Sequence, residues 1–151
     1  MNLLIADDEA VIRRGLLSLD WKSIGITDVY SVANGVEAKE LLLSTSIDLV
    51  IFDIRMPGFS GLELAQMVKE RSMDVAVVLL SGFSEFEYAR SAMRYGVYEY
   101  LLYGDAFLSL LLSSVFSTNP KHNSIPKNTK PPIIPALKSL FIIFSPFSLY
   151  G

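Results

Sequence analysis

The run Leu49-Val50-Ile51-Phe52-Asp53 constrains the fold of this chain more than any other stretch. Four consecutive apolar residues bounded by polar ones read as a strand with no solvent-facing side. Such strands belong to parallel sheets covered by helices on both faces. A carboxylate placed directly after the strand is carried to the carboxyl edge of the sheet, where open α/β folds put their ligands.

The rest of the first hundred residues repeats the same unit. Leu3 to Ala6 is a short apolar strand. Asp7-Asp8-Glu9 follows it, ahead of a helical pattern with Val11, Ile12, Leu16 and Leu19 on one side. Thr27 to Val32 is a weaker strand. Asn34 then offers a cap with Glu37 three positions on, before Ala38, Leu41 and Leu42. After Met56-Pro57-Gly58 breaks regular structure, Ser60 and Glu63 have the capping-box spacing and open a helix expected to bury Leu62, Ala65 and Val68. Val75 to Leu80 is a fourth strand and Ser81-Gly82 a turn. Ser84 and Glu87 repeat the cap before a helix expected to bury Phe86, Ala89 and Met93, and Val97 to Leu102 is the fifth strand. Strands alternating with helices predict an α/β, doubly wound, five-stranded parallel sheet of order 2-1-3-4-5.

The composition changes near residue 102. Residues 1–102 hold nine basic and fifteen acidic side chains, a net −6, whereas residues 103–151 hold four lysines and one aspartate, a net +3. Asp105 could cap a fifth helix over 106–117, but Phe107-Leu108-Ser109-Leu110-Leu111-Leu112 is apolar on too many sides for an amphipathic surface helix. From 118 onward six of the seven prolines occur among Ser, Thr, Asn and Lys, so residues 1–117 are expected to form one domain and 118–151 an irregular or disordered tail. The single histidine, His122, falls in that polar stretch and reads as a solvated residue. Cysteine is absent, which excludes disulfides, thiolate metal sites and a cysteine nucleophile. No apolar stretch is long enough to span a bilayer and no basic segment precedes the first strand, so no membrane association is expected and the expected location is cytoplasmic.

Asp7, Asp8 and Asp53 converge where the strand order reverses, because the first and third strands are neighbours in this topology. Carboxylates about 5 Å apart repel by roughly 3 kcal/mol at an effective dielectric near 20, so the cluster calls for a counter-charge. Oxygen-only ligands favour Mg²⁺, with Mn²⁺ as the alternative, and Mg²⁺ commonly bridges carboxylates to phosphate oxygens. Ser81, ending the fourth strand, is placed to donate a hydroxyl to such a group. Read singly, Asp7, Asp8 and Glu9 could be an acidic helix start, Asp53 a turn residue and Ser81 a loop cap. Their convergence on one edge argues for chemistry.

In these residues the chain resembles the receiver domain of two-component response regulators. The carrying motifs are Leu4-Ile5-Ala6-Asp7-Asp8-Glu9, Asp53-Ile54-Arg55-Met56-Pro57-Gly58, Leu80-Ser81-Gly82 and Tyr98-Glu99-Tyr100-Leu101-Leu102. The resemblance covers about residues 1–102 and implies a flavodoxin-like receiver fold. It implies that Asp53 accepts a phosphoryl group from a sensor histidine kinase, that Asp8, Asp53 and the backbone carbonyl of Arg55 hold Mg²⁺, and that Asp7 assists. It further implies that Ser81 binds the phosphoryl group and that Tyr100 is a switch aromatic. A homodimer through the fourth helix, fifth strand and fifth helix is implied in the same way. Trp21 and the wording Asp53-Ile54-Arg55-Met56-Pro57 look most like receivers that precede an AraC-type output domain. No second pair of DNA-reading helices follows residue 102, so direct nucleic-acid binding by this chain is not expected.

One position departs from the family. A lysine is usual directly after the fifth strand, and here Tyr103-Gly104 stands there. Tyrosine can donate a hydrogen bond but brings no charge. The alternative reading is therefore a degenerate pseudo-receiver that keeps the fold and metal pocket but signals poorly. The lost lysine, the over-apolar fifth helix and the shift in composition would share one cause if the gene were frameshifted or truncated near codon 102. An intact reading frame, with the same tail in related genes, would refute that hypothesis. A haloacid-dehalogenase-type phosphatase would need a second Asp where Arg55 stands, and a flavin site would need a Ser/Thr/Gly loop in place of Asp7-Asp8. The expected role is that of a signalling module with slow phosphoryl chemistry, not a metabolic enzyme.

Overall fold

The computed structural model describes residues 1–82, 86–97 and 99–102, with backbone alone at 86–89 and 99–102. Five strands, β1 (Asn2–Ala6), β2 (Asp28–Val32), β3 (Leu49–Asp53), β4 (Ala76–Ser81) and β5 (Glu99–Leu102), pair in parallel in the order β2-β1-β3-β4-β5. Between them lie α1 (Ala10–Leu17), α2 (Gly35–Ser44), α3 (Gly61–Glu70) and α4 (Phe86–Arg94). This is the α/β, doubly wound arrangement expected from the apolar third strand. The expected fifth helix, Tyr103 and the tail lie outside the described residues.

Alternation along the strands divides the interior into two layers. Leu3, Ile5, Leu49, Ile51, Val78 and Leu80 face one side and pack with Ile12 and Leu16 of α1. Leu4, Val50, Phe52, Val77 and Leu79 face the other side and pack with Ala38 and Leu42 of α2, Leu64, Ala65 and Val68 of α3, and Ala92 of α4. All five β3 residues are buried, as a central strand covered on both faces requires. Burying each large apolar side chain contributes about 1.5–3 kcal/mol, so the order of the central strands is set by this core.

Local signals act where they were expected. The Asn34 side chain accepts from the Glu37 N–H at 2.9 Å, and Ser60 with Glu63 forms a complete capping box at the start of α3. The second expected cap, at Ser84, lies outside the described residues. Two burial expectations need correction. Leu64, not Leu62, is fully buried in α3, because Gly61 faces the sheet and the face it defines continues through residues 64, 65 and 68. In α4, Met93 is 73% exposed and Ala92 is buried, since a small side chain permits closer seating on the sheet than a long one.

A 3-10 turn over Trp21–Ile24, not anticipated from the sequence, closes the first layer below α1. The buried Trp21 indole donates to the Leu16 carbonyl at 2.6 Å, tying this turn to the end of the helix. Trp21→Phe is expected to lower stability by about 1–2 kcal/mol through loss of that bond and some volume, measured by urea unfolding.

Candidate metal and phosphoryl site

β1 and β3 end side by side. Ala6 pairs with Phe52, so the residues that follow, Asp7 and Asp53, leave the sheet at the same level. Asp7, Asp8 and Asp53 each offer one carboxylate oxygen, and these oxygens all lie within 4.8 Å of one another. Asp7 is 1% exposed and Asp53 8%, whereas Asp8 faces solvent.

The backbone fixes each acid. Asp7 Oδ1 accepts from the Glu9 N–H at 2.8 Å, and Arg13 Nη1 of α1 donates to the Asp7 carbonyl at 2.8 Å. Asp53 Oδ2 accepts from the Arg55 N–H at 3.1 Å. The Gly61 N–H donates to the Ile54 carbonyl at 3.1 Å, which tethers the β3–α3 loop to the first residue of α3. A Cβ on Gly61 would overlap the backbone oxygen of Asp53 and sit 3.1 Å from its carbonyl carbon. Gly61→Ala is therefore expected to cost about 1–3 kcal/mol by overpacking against Asp53, read as a lower urea midpoint at unchanged slope.

Burial governs the electrostatics. Desolvation is the largest influence on Asp7 and raises its pKa to about 7, partly opposed by the Glu9 N–H and reinforced by the charges of Asp53, Glu9 and Asp8. Desolvation likewise raises Asp53 to about 6, opposed by the Ile54 and Arg55 N–H groups and reinforced by Asp8 and Glu9. Asp7 Oδ2 is buried and, among the described residues, has no hydrogen-bond partner. A buried, unpartnered oxygen beside two further carboxylates is a pocket that a hard cation can complete, and the donor set contains oxygen alone. These residues fit a divalent ion such as Mg²⁺.

Ser81 is the last residue of β4 and is buried, one position beyond Leu80, the register partner of Asp53. Arg55 follows on the β3–α3 loop, beside an open cleft of about 570 Å³ lined by Asp8, Ile54, Met56 and Pro57 among others. Tyr100, on β5, pairs through its backbone with Leu79 of β4, and its side chain lies outside the described residues. Sequence reasoning did not anticipate Arg13 or Gly61. The glycine directly after the Ser60 cap was the available signal for the second.

Residues 3–102 match the family model of the response regulator receiver domain. The transcriptional regulatory protein YesN of Bacillus subtilis is 45% identical over 102 residues, which are 67% of this chain and 28% of that protein. Transcriptional regulatory protein HptR of Staphylococcus aureus is 36% identical over 102 residues, 67% of this chain and 40% of its own length. The chain thus spans well under half of these curated relatives. Among solved structures, the receiver domain of AraT, a response regulator from Geobacillus stearothermophilus, is 36% identical with a TM-score of 0.63 over 76% of this chain and 89% of that one. Response regulator TrrA of Thermotoga maritima, in complex with Mg²⁺ and BeF, is 32% identical with a TM-score of 0.58 over 76% of this chain and 96% of that one.

Proposed function

Because the chain belongs to the response regulator receiver domain family, we propose that Asp53 accepts a phosphoryl group from a sensor histidine kinase. The observation that carries this reading is the buried Asp53 carboxylate, held within 4.8 Å of Asp7 and Asp8 at the carboxyl edge of the sheet. An oxygen of Asp53 forms the new P–O bond as the P–N bond to the donor histidine breaks. The electron pair of that bond stays on the imidazole nitrogen, which takes up a proton.

Asp8, Asp53 and the Arg55 carbonyl would hold Mg²⁺, with Asp7 assisting through its unpartnered oxygen. When bound, the ion neutralises the carboxylates and the oxygens of the incoming group. The Arg55 N–H orients the nucleophile through Asp53 Oδ2. The Ser81 hydroxyl would donate to the phosphoryl oxygens, and Tyr100 would report the change on β5. Such a module signals and does not turn over a metabolite. By likeness to its relatives it would serve a transcriptional regulator in the cytoplasm. Residues 1–117 would form the receiver, dimerising in the family's manner through α4, β5 and the segment that follows.

Tyr103, at the usual lysine position, favours a second reading in which the pocket persists and the switch is weak. Incubation of the full chain with Mg²⁺ and acetyl phosphate tests the first. An intact-mass gain of one phosphoryl group, absent in Asp53→Ala, is expected. No gain in the wild type would favour the pseudo-receiver.

A further inference from the structure

The first turns of α2 press directly on the loop that leads from Asp53 to α3. The Gly35 N–H donates to the Pro57 carbonyl at 2.9 Å. A Cβ on Gly35 would overlap the Phe59 carbonyl oxygen and stand 2.6 Å from both the carbonyl carbon and the nitrogen of Phe59. Gly58 has φ +84°, and a Cβ there would lie 2.6 Å from Val36 Cγ2. One turn further along α2, the Lys39 ammonium sits 4.2 Å from the centroid of the Phe59 ring. Three successive loop residues, 57 to 59, are therefore held from outside by α2. The same loop is held from inside by the Arg55 N–H on Asp53 and by the Gly61 N–H on Ile54. The Arg55 carbonyl and Met56 span the gap between these two anchorages.

We propose that Gly35 is a positioning residue for cation binding: its contact with Pro57 and Phe59 fixes where the Arg55 carbonyl stands, so loop latching and occupancy of the Asp8–Asp53 site are coupled. This rests on the reading that the site takes Mg²⁺. The obstacle facing a Gly35 side chain is backbone, which cannot rotate away as a flexible side chain would, so alanine must push the loop outward. Mg²⁺ demands near-ideal octahedral geometry at about 2.0–2.1 Å, so a carbonyl ligand displaced by a comparable fraction of that length binds poorly. Coupling between two sites is reciprocal, and the ion must therefore also favour the closed Gly35–Pro57 contact.

Calorimetric titration of the full chain with Mg²⁺, combined with amide hydrogen exchange, tests this. Gly35→Ala is expected to raise the Mg²⁺ Kd at least tenfold. Phe59→Leu, which leaves the charge unchanged and loosens the same latch from its other side, is expected to raise it about threefold. In the wild type, Mg²⁺ should slow exchange of the Gly35 amide severalfold. The Asp48 amide, bonded to the Asn2 carbonyl where β1 begins, should be unaffected. A merely structural glycine would lower the unfolding midpoint and leave both the Kd of the folded protein and the Mg²⁺ effect on exchange unmoved. Absence of Mg²⁺ binding by the wild type would overturn the metal reading itself. Wild-type binding with unchanged Kd in the folded variants, and no effect at Gly35, would overturn the latch alone. If Gly35→Ala does not fold, Phe59→Leu and the wild-type exchange decide between these outcomes.

Discussion

Asp7→Asn is expected to make the metal-free protein more stable at pH 8 by about 2–3 kcal/mol while weakening Mg²⁺ binding at least tenfold. Asp7 is 1% exposed, its pKa is raised to about 7 from 3.8, and its Oδ2 has no partner among the described residues. Each unit of such a shift corresponds to about 1.4 kcal/mol, so holding the ionised form inside the fold costs about 4 kcal/mol. Asparagine keeps an oxygen for the Glu9 N–H and removes the charge, but buries an amide group with its own unmet hydrogen-bonding demand, which returns part of the gain. At pH 5, where Asp7 is already protonated, the difference should shrink to within about 1 kcal/mol. Urea unfolding in chelator at the two pH values measures it. A destabilised variant at pH 8 would contradict this account of Asp7.

The same pair of acids sets the pH dependence of the wild type. Unfolded, Asp7 and Asp53 would lose their protons near 3.8; folded, they lose them near 7 and 6. Between those values the native state holds protons that the unfolded state has released, so the metal-free protein is expected to lose stability as pH rises from about 4 to 7, by on the order of 5 kcal/mol for the two together. Glu63, whose carboxylate is favoured by the Ser60 N–H and hydroxyl, acts in the opposite sense, but below its ordinary value of 4.5 and so only at the acid edge of this window. Saturating Mg²⁺ should flatten or reverse the slope, because the ion takes the place of the protons. Unfolding series at pH 5, 6, 7 and 8, with chelator and with Mg²⁺, give the answer. A chelated protein that gains stability from pH 5 to 7 would show that the acids are not held as described.

The acidic trio was legible because it depends on chain order alone: an acid after β1 and an acid after β3 must meet once those strands pair. The strand order was legible because Leu49 to Phe52 tolerates no solvent face. Helix faces were less so. Apolar residues recur at 86, 89, 92 and 93 in α4, and nothing in that spacing favours Ala92 over Met93 for the buried side; contact with the sheet selects the smaller residue. In α3, Leu62 packs against the core only half-buried, whereas the face that starts at Gly61, close against Asp53, carries Leu64 fully inward. Glycines that admit another backbone carry no side-chain pattern, so the roles of Gly35 and Gly61 emerged from the structure, although a glycine directly after the Ser60 cap was a local signal for the second. The turn at Trp21 was hidden for a related reason, since its stabilising bond runs from a side chain to a helix-end carbonyl.

The central claim concerns one carboxylate, and its product can be fixed chemically. After reaction with acetyl phosphate and Mg²⁺, borohydride reduces an aspartyl phosphate to homoserine, and peptide mass spectrometry locates the converted residue. Homoserine at position 53, lost when Mg²⁺ is chelated, is the expected result. Conversion at Asp7 or Asp8 in place of Asp53, or none at any of the three, would contradict the assignment.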